Sequence, residues 1–489
     1  MNTVYRLMAA HGFRPYIPLI LLLVGLLLPT AVSSADEPGG ADTQEKPAAS
    51  PRPISVATDR PDQTIDGFGA SLAWYADNLA RLTPETRDEL FDFFFADGGE
   101  GLGLEILRLR ISPEFSAEGE PYDWSHPEMQ DEGRVVSHLC STYDLRVMAV
   151  PWTAPRWMKD SGLNEKSGTL LPEHYDAYAA YLADWVEGMK EHFGVEVTIL
   201  SVQNEPGKKP WEAMEWTTEA LATFTREHLI PTLDRRGLEL ELMLNEETSW
   251  RPELMLDGLL ADPVLADRIA IAAAHAYHGS FKNPQPIDSA RDLGKRVWMT
   301  EHYLGDYALT SIENPMRRDL AYGQIMDRFF DEALIDAHLF WWAVGLPKNI
   351  PGALVALDVA ADRIDTFERQ KVAFVYGHFS RFVHPGWRRV PTAVPDTGDP
   401  DFHGLAATAF TGPDGRLSVV LINSSDRDEA VRLQLPAEAA GFSAEGWRAW
   451  ITDDRRDLAA VETVIDPASI ELPALSIVTV TGTPAAADD

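Results

Sequence analysis

Two glutamates of this chain each lie at the end of a short apolar segment. Glu205 belongs to VTILSVQNEP (197–206), and Glu301 ends RVWMTE (296–301). Apolar runs of this length are typical of strands buried on both faces of a parallel sheet, whose carboxyl ends are where ligands bind. One such glutamate alone would be interpreted as a solvated acid. Two of them predict paired carboxyl groups for hydrolysis of a glycosidic bond, in which one protonates the leaving oxygen and the other attacks the anomeric carbon or activates a water.

The elements that would position these acids form a repeating pattern. Between residues 65 and 342, apolar segments alternate with amphipathic ones such as 173–192, in which apolar residues recur at helical spacing. Eight such alternations favour a (β/α)8 barrel over an open sheet. We expect the strands at 65–70, 106–111, 146–150, 198–203, 239–244, 269–274, 296–300 and 337–342.

A second pattern begins after about residue 380. Segments such as LSVVLINSS (417–425) alternate apolar and polar residues and are separated by turns, which predicts an antiparallel β-sandwich. The segment beginning at Ile54 precedes the barrel and can supply a further strand. The predicted fold class is therefore α/β, a (β/α)8 TIM barrel with an attached antiparallel β-sandwich domain formed from both chain ends. The expected divisions are an N-terminal sandwich strand at 54–64, the catalytic barrel at 65–379, the sandwich at 380–483 and a disordered tail at 484–489.

The first 35 residues have the features of a secretory signal peptide. Two arginines precede an apolar core, IPLILLLVGLLL (17–28), and Ser33 and Ala35 form a small-x-small cleavage pattern. The core is short for a transmembrane helix, and an uncleaved anchor is the alternative. Residues 36–53, rich in Pro, Gly and Ala, are predicted to be a disordered linker. We expect a bacterial protein that is secreted or periplasmic.

The composition narrows the classes of function. The formal net charge is −34 and 45% of the residues are hydrophobic, so the chain has a large core and an acidic surface. We therefore expect no nucleic-acid partner, no stable membrane association and a monomer. Cys140 is the only cysteine, which excludes a disulfide within the chain. The sequence has no HExxH, CxxC, P-loop or GxSxG motif and no cluster of metal ligands, so it predicts neither a cofactor nor a metal.

Several segments resemble the motifs of glycoside hydrolase family 30. They are DGFGAS (66–71), ILRLRIS (106–112), PWTAPRWMK (151–159), QNEP (203–206), MTEHY (299–303) and YGHFSRFVHPG (376–386). The resemblance extends in order over nearly the whole chain from about residue 54 to 480. It implies a (β/α)8 barrel fused to a β-sandwich and hydrolysis of β-glycosidic bonds with retention. The sequence WMTEHY is most similar to that of the bacterial xylanase subfamily, subfamily 8, which cuts β-1,4-xylan internally.

The resemblance implies roles for residues at the strand ends. Glu205 resembles the general acid/base and Glu301 the nucleophile, and retention would place their carboxyl groups about 5–5.5 Å apart. Asn204 resembles the residue that hydrogen-bonds the sugar 2-hydroxyl. Tyr277 resembles the phenol that bonds the nucleophile. Each is the kind of contact that can strengthen in the transition state.

Two arginines compete for one position beside the nucleophile. Arg108 resembles the arginine under Glu301, where a charge-assisted hydrogen bond would keep the carboxylate ionised. Arg110 lies on the same face of the strand, so alternation alone leaves either residue open. His275 is interpreted as an interior histidine with satisfied hydrogen bonds rather than as a ligand.

Aromatic residues at the strand ends predict sugar-binding walls. Trp152 and Trp342, at the ends of strands three and eight, are candidates for stacking against apolar sugar faces. Alternation predicts that Trp341 packs outside the barrel, unless a bulge exchanges the two. Tyr303 and Trp211 are candidates for outlying subsites.

The segment WWAVGLPKNIPGALVALD (341–358) departs from the family pattern. Glucuronate-dependent members of the xylanase subfamily carry a pair of arginines there, whereas this chain has none before Arg363. A pendant carboxylate normally calls for such a cation. We therefore expect a polysaccharide or oligosaccharide substrate and an endo-β-1,4-xylanase without strict glucuronate dependence. The alternatives are an endo-β-1,6-glucanase or galactanase, a glucosylceramidase-like enzyme, and a non-catalytic carbohydrate-binding protein.

Overall fold

The computed structural model of the protein describes residues 50–305, 307–347, 352–359, 361–394, 402–436 and 441–485. The predicted signal peptide at 1–35 lies outside these ranges, as do most of the predicted linker and residues 486–489 of the predicted tail. The elements below belong to one structural unit, Pro51–Asp489.

After a first strand, β1 (Arg52–Val56), eight parallel strands close into a barrel. Neighbours in the chain are neighbours in the sheet, and the eighth strand pairs with both the seventh and the first, which closes the ring. The barrel strands are β2 (Gly67–Ser71), β3 (Ile106–Arg110), β4 (Arg146–Val150), β5 (Val197–Ser201), β6 (Glu241–Glu247), β7 (Ile269–Ala274), β8 (Arg296–Met299) and β9 (Ala337–Gly345). Two short strands, β10 (Ala353–Ala356) and β11 (Glu368–Arg369), extend the sheet beyond β9.

The predicted barrel is confirmed, but β6 and β9 each continue three residues past their predicted ends at 244 and 342. Strand β6 continues to Glu247, three residues past the predicted end at 244. The prediction stopped there because Asn and Glu are depleted in strands. In the structure Asn245 and Glu246 are buried at the carboxyl edge of the barrel, where tertiary contacts override that preference.

The barrel interior is packed with side chains rather than open. Strand β2 approaches β3 so closely that a Cβ on Gly69 would come within 2.2 Å of the Ile106 carbonyl oxygen, so only glycine fits there. The larger side chains that fill the interior are those of Ile106, Met148, Ile199, Met243, Ile271, Trp298 and Leu339. Layers of this kind make the strand ends a firm platform for a site.

Helices cover the outside of the barrel. Helix α1 begins where Thr83 accepts a hydrogen bond from the Thr86 N–H and Pro84 occupies the first turn. A π-helical turn, Phe224–Leu229, joins α4 to α5. None of the described helices is both long enough and apolar enough to cross a membrane. The α-helices are α1 (Pro84–Phe95), α2 (Pro127–Thr142), α3 (Tyr175–Phe193), α4 (Thr218–Thr223), α5 (Ile230–Arg236), α6 (Leu256–Leu260), α7 (Pro263–Arg268), α8 (Asp288–Arg291), α9 (Tyr307–Thr310), α10 (Pro315–Asp331) and α11 (Lys371–Ser380).

The remaining strands form two facing sheets, the predicted β-sandwich. Strand β1 pairs in parallel with β16 and antiparallel with β13, so the sandwich uses chain from both sides of the barrel. The facing apolar side chains form a core of their own, which includes Ile54, Val419 and Val431. One sheet has the order β13 (Thr392–Ala393), β1, β16 (Glu429–Gln434) and β19 (Ile470–Leu472). The other has the order β12 (Arg388–Val390), β14 (Leu405–Thr411), β15 (Leu417–Asn423), β20 (Ser476–Gly482), β17 (Arg448–Thr452) and β18 (Ala459–Ala460).

Helices α10 and α11 join the barrel to the six-stranded sheet. Phe330 of α10 meets Phe410 of the sheet edge-on, with ring centroids 5.4 Å apart. The buried ring of His378 on α11 hydrogen-bonds Thr479 Oγ1 at 2.8 Å and Thr452 Oγ1 at 2.9 Å. Phe410 belongs to the same apolar cluster as the barrel helices, so barrel and sandwich share a core.

Candidate active site

Glu205 and Glu301 lie side by side at the carboxyl ends of β5 and β8. One carboxylate oxygen of each, together with one ring nitrogen of His275, lie within 4.8 Å of one another. Both glutamates are buried, with 6% and 4% of their surface exposed. Carboxylate oxygens that approach to within 4.8 Å are compatible with the spacing of about 5–5.5 Å between the carboxyl groups of retaining glycosidases and closer than the 6.5–9.5 Å of inverting ones.

The Arg108 guanidinium holds the centre of the site together. It is fully buried and donates from Nη1 to Glu301 Oε2 at 2.8 Å and from Nη2 to Asn204 Oδ1 at 2.7 Å. Nε and Nη2 also donate to Glu246 Oε1, at 3.2 and 2.9 Å. A buried arginine needs such compensation, because unpaired it would cost several kcal/mol of desolvation.

The choice that the sequence left open between Arg108 and Arg110 is settled by these contacts. Arg110 does not approach the two catalytic candidates. Its guanidinium lies between Glu114 and Glu212, with contacts of 2.8 and 2.6 Å. Alternation along the strand predicts both arginines on one face. Strand β3 ends at Arg110, however, and the Arg110 side chain contacts residues of the loops above the barrel.

Glu246, at the end of β6, is a third buried carboxylate that the sequence analysis did not single out. Besides Arg108, it accepts a hydrogen bond from the Ser201 hydroxyl. Burial alone would raise the pKa of Glu246, but the charges of Arg108 and His275 lower it to about 2. Glu246 is therefore a permanent anion that fixes the orientation of Arg108. No motif marked it, because it lies inside a strand that was predicted to end earlier.

His275 lies among the three carboxylates. Its Nδ1 is 3.0 Å from Glu205 Oε1 and 3.7 Å from Glu301 Oε1, and its Nε2 is 3.7 Å from Glu246 Oε1. Burial alone would lower the pKa of His275, but the surrounding carboxylates raise it to about 9. The ring is interior, as predicted, but it is a cation of the site and not merely a packing residue.

Glu205 also has a cation on its other side. Lys209, four residues later, places its Nζ 3.4 Å from Glu205 Oε2 and donates to Thr248 Oγ1 at 2.7 Å. Burial raises the pKa of Glu205, but His275 and Lys209 together lower it below the usual value. At Glu301, burial and the charge of Glu205 raise the pKa against the lowering effect of His275 and Arg108. The two carboxyl groups therefore titrate as a pair.

Tyr277 and Tyr303 lie beside Glu301. The Tyr277 hydroxyl donates to Glu301 Oε1 at 2.8 Å, so both oxygens of this carboxylate are engaged, one by tyrosine and one by Arg108. The Tyr303 ring packs edge-on against Tyr277, with centroids 5.6 Å apart. Tyr277 thus contacts the candidate nucleophile directly, and Tyr303 buttresses it.

The segment that carries Glu205 is fixed by hydrogen bonds and held in an unusual backbone conformation. Gln203 donates to the Trp152 carbonyl at 2.9 Å and accepts from Trp216 Nε1 at 3.1 Å. Glu205 and Glu246 have φ of +42° and +44°, and the Glu205 N–H donates to the Glu246 carbonyl at 3.0 Å. A non-glycine residue in this region costs about 1–3 kcal/mol and persists where surrounding contacts impose it, as at many active sites.

Aromatic rings surround Arg108, and here the structure corrects one prediction. The centroid of Trp152 lies 4.6 Å from the guanidinium carbon, and that of Trp341 lies 5.5 Å away. Trp341, predicted to pack outside the barrel, thus faces its interior. A register shift in the pairing of β2 with β9 lets Phe340 and then Trp342 pair with consecutive residues of β2. Trp342 is half-buried and stacks on Trp341, with ring centroids 4.7 Å apart.

Glu205, His275 and Glu301 also form a group that could in principle hold a metal ion. Their chemistry does not fit that role. A histidine ligand must be neutral, whereas the pKa of His275 is raised to about 9 and its Nδ1 is already 3.0 Å from Glu205. The arrangement is that of paired acids with cations between them.

Comparison with known proteins agrees with this geometry. The family model described as the glycosyl hydrolase family 30 TIM-barrel domain matches residues 65–383, and that of the family 30 beta sandwich domain matches 394–480. A glucuronoxylanase, XynC of Bacillus subtilis (strain 168), is 26% identical over 430 residues, which cover 86% of this chain and 88% of that protein. Lysosomal acid glucosylceramidase of Mus musculus is 22% identical over 78% of this chain and 79% of its own length. The crystal structure of the family 30 subfamily 8 xylanase Xyn30A from Clostridium acetobutylicum has a TM-score of 0.69 and 25% identity, covering 88% of this chain and 99% of that one.

The barrel match alone covers well over half of the chain, and the sandwich match follows it in the family's order. The chain belongs to glycosyl hydrolase family 30 and is a retaining glycoside hydrolase.

Proposed function

We propose that Glu205 is the general acid/base of this hydrolase and Glu301 its nucleophile. The observation that carries the assignment is that the two glutamates have different hydrogen-bond donors and cations around them. Both oxygens of Glu301 accept hydrogen bonds, from Arg108 and Tyr277, which fix the direction of the carboxylate and oppose the rise in its pKa that burial and the charge of Glu205 cause. Glu205 faces the imidazole of His275 and Lys209, groups that stabilise its anion after it has given up a proton.

The catalytic cycle follows from this arrangement. Glu205 protonates the glycosidic oxygen while Glu301 attacks the anomeric carbon, which forms a glycosyl ester and releases the first product. Esterification removes the charge of Glu301, so Glu205 can then act as a base and take a proton from the attacking water. Without substrate the pKa of Glu301 is raised and that of Glu205 is lowered, so the proposed first step requires that the proton of the pair lie on Glu205, beside the glycosidic oxygen.

Asn204 and the tryptophans would hold the reacting sugar. The Asn204 carbonyl oxygen accepts from Arg108, which has only donors to offer, so the amide NH₂ of Asn204 is left to donate to a sugar hydroxyl. Trp152 and Trp341 present rings beside Arg108 against which an apolar sugar face can stack. Trp342 and Tyr303 extend this wall as contacts for neighbouring sugars.

We propose β-1,4-xylan as the substrate, cut internally and without strict dependence on glucuronate side chains. The similarity to a glucuronoxylanase and to a subfamily 8 xylanase supports the xylan assignment. The absence of arginine between 343 and 362 of the sequence supports independence from glucuronate. Lipid-linked glucosides are the second candidate, because a glucosylceramidase is a relative of similar coverage. β-1,6-Linked glucans and galactans are further alternatives.

The test is hydrolysis of a panel by the purified protein and by its Glu301→Gln variant. The panel contains glucuronoxylan, unsubstituted xylo-oligosaccharides, β-1,6-glucan, β-1,6-galactan and a β-glucosylceramide. We expect a ladder of products from the unsubstituted xylo-oligosaccharides and a loss of at least about 10⁴-fold in kcat for the variant, since it lacks the nucleophile.

Products spaced only by glucuronate side chains would contradict the proposed independence from them. Cleavage of a β-1,6-glycan or the lipid alone would overturn the substrate and leave the mechanism standing. Equal activity of the two proteins would overturn the role of Glu301. A protein silent on the whole panel would overturn the xylan assignment together with the alternative substrates named here.

A further inference from the structure

A groove lies next to the catalytic pair, between the loops that follow β4 and β5. It has a volume of about 510 Å³ and is lined by residues of 160–168 and 208–215. Among them are three lysines, Lys166, Lys208 and Lys209. We call it the lysine groove.

Lysines outnumber acids in the lysine groove, although the chain as a whole carries a net charge of −34. The acids are Asp160 and Glu215, and Asp160 already accepts a hydrogen bond from the Thr169 N–H at 2.8 Å. Within the part of the chain that the structure describes, the side chains of Lys166 and Lys208 make no ion pair. Lys209 is paired with Glu205, so Lys166 and Lys208 are the two cations of the groove whose ammonium groups can donate to an anionic ligand.

The walls of the groove are tied to each other, so its shape exists before any ligand binds. The Ser167 hydroxyl donates to the Lys209 carbonyl at 2.9 Å and accepts from the Lys209 N–H at 2.6 Å. The Glu215 N–H donates to the Gly168 carbonyl at 2.9 Å. A preformed groove loses little conformational entropy when it is filled.

The groove adjoins the general acid and not the nucleophile. Lys209 belongs to both places, because it lines the groove and its Nζ is 3.4 Å from Glu205 Oε2. Glu301 is enclosed on its own side by Arg108 and Tyr277. Since the general acid meets the leaving oxygen, the sugars that leave first extend past Glu205 toward this groove.

An exposed aromatic ring lies beside Lys209, outside the lining of the groove. Trp211 is 45% exposed, an unusual exposure for an indole ring, and Lys209 Nζ lies 5.9 Å from its centroid. An exposed ring beside cations suits a sugar whose face is apolar and whose substituent is charged.

We propose that the lysine groove binds an anionic substituent, a carboxylate or sulfate ester, carried by the leaving-group part of the substrate. This inference rests on the proposed assignment of Glu205 as the general acid. It concerns the leaving-group part of the substrate, so it does not require that cleavage depend strictly on glucuronate side chains.

The test uses pairs of oligosaccharides built on the backbone that the wild-type protein cleaves. Within a pair, the two molecules have equal length and differ only in one uronic acid on the leaving-group side. We expect wild-type kcat/KM to be about tenfold or more higher for the acidic molecule. In a Lys166→Gln/Lys208→Gln variant the ratio of the two constants should fall about tenfold, because charge-assisted hydrogen bonds are lost. A sulfated pair tells whether the groove prefers sulfate to carboxylate.

The matched control is Lys190→Gln/Lys295→Gln, which removes the same charge near the opposite, amino-terminal end of the barrel strands. In this control, the ratio of kcat/KM for the acidic molecule to kcat/KM for the neutral one should equal the wild-type ratio. Raising the salt from 0.05 to 0.5 M should lower the wild-type ratio and leave that of the lysine-groove variant nearly constant.

A wild-type ratio near one would overturn the proposal, as would a high ratio that the lysine-groove variant retains. Cleavage of the neutral molecule reports separately on the proposed function. If the neutral oligosaccharide were not cleaved, the result would count against the proposed substrate and not against anion binding by the lysine groove.

Discussion

At the scale of single residues, the site is organised around charge balance. Three carboxylates, Glu205, Glu246 and Glu301, face three cationic groups, Arg108, His275 and Lys209. Burying carboxylates without such partners would shift their pKa values far upward and leave them neutral. The cations therefore keep the acids in the range where one proton can pass between enzyme and substrate.

His275 gives the clearest prediction from this balance. Its carboxylate neighbours raise its pKa to about 9, so the imidazole should titrate near pH 9 instead of near 6.5. In ¹H–¹³C spectra of histidine-labelled protein, with the signal assigned by its loss in His275→Gln, we expect a cationic ring throughout the neutral range. The exposed ring of His278, close by in the chain, is the internal comparison. A midpoint at or below 6.5 would show that the carboxylates do not hold a proton on His275.

The raised pKa of His275 also makes the unfolding free energy depend on pH. The folded state binds the His275 proton more tightly than the unfolded chain, so this contribution is complete below about pH 6.5 and is lost as the pH rises to about 9. A shift of this size corresponds to about 3 kcal/mol in the unfolding free energy.

The two glutamates proposed as catalytic could be singled out in the sequence because each follows an apolar strand in a recognisable motif. Alternation along the strand left both Arg108 and Arg110 open, because it cannot say where a strand ends, and only the family resemblance favoured Arg108. Glu246 and the charged state of His275 could not be found, because both depend on residues distant in sequence. Their partners come from β3, β5, β7 and β8, which only the closed barrel brings together.

At the scale of elements, the site depends on how the strand ends are joined beyond the sheet. Residues that follow β4 and β5 form hydrogen bonds with each other and with the end of β6: Asn204 N–H donates to the Pro151 carbonyl and Glu205 N–H to the Glu246 carbonyl, both at 3.0 Å. These bonds continue the ladder past the regular strands. They position Glu205 in a conformation that an isolated loop would avoid.

Gln203 is the side chain that ties these segments together, which predicts the effect of removing it. In Gln203→Ala, the Trp152 carbonyl and Trp216 Nε1 each lose a buried partner, which costs about 1–3 kcal/mol of stability. We also expect kcat to fall by about tenfold, because Glu205 follows two residues later and loses its support.

Steady-state kinetics and denaturant unfolding of the purified variant measure the two effects. Gln434→Ala, on an exposed strand of the sandwich, is the control and should match the wild type in both. Unchanged kcat together with lowered stability would mean that Gln203 supports the fold without positioning Glu205.

The order and type of elements were predictable from periodicity, whereas two details of the strands were not. Strand β6 extends through Asn245 and Glu246 because barrel contacts outweigh their low strand propensity. The register shift at β9 turns Trp341 inward, and nothing in the alternation of the sequence signals it. A shift by one residue exchanges the two faces of a strand, so that single irregularity decides which tryptophan meets Arg108.

At the scale of the whole molecule, the barrel and the sandwich behave as one cooperative body. Phe410 and Ile422 of the sandwich are fully or almost fully buried in the cluster that also contains Phe330 of α10. Gly323 of α10 lies so close to the sandwich that a Cβ there would approach Ile422 to 3.1 Å. Interfaces packed this tightly do not act as hinges.

A substitution in this interface should therefore affect both parts. Phe410→Ala removes a fully buried ring, and we expect a loss of about 3–5 kcal/mol in the free energy of unfolding. Calorimetry should show one transition at a lower temperature, with the loss of activity on heating following the same curve. Val464→Ala, half-exposed on the sandwich, is the control and should change stability by less than about 0.5 kcal/mol. Two separate transitions, with activity lost only in the later one, would contradict a shared core.

The pairing of β1 with β16 joins two strands that the ribosome synthesises at widely separated times. Arg52 is opposite Val431 in the finished sheet, so the first strand to be synthesised must wait for 379 further residues before its parallel neighbour exists. At about 5–20 residues per second, that interval is roughly 20–75 s. The other neighbour of β1, β13, is also synthesised late, so both edges of β1 lack their partners for most of this interval, while the barrel strands can join their neighbours almost as they appear. A chain truncated before β13 would carry a complete set of barrel strands and a strand with two open edges, which invites association with other chains.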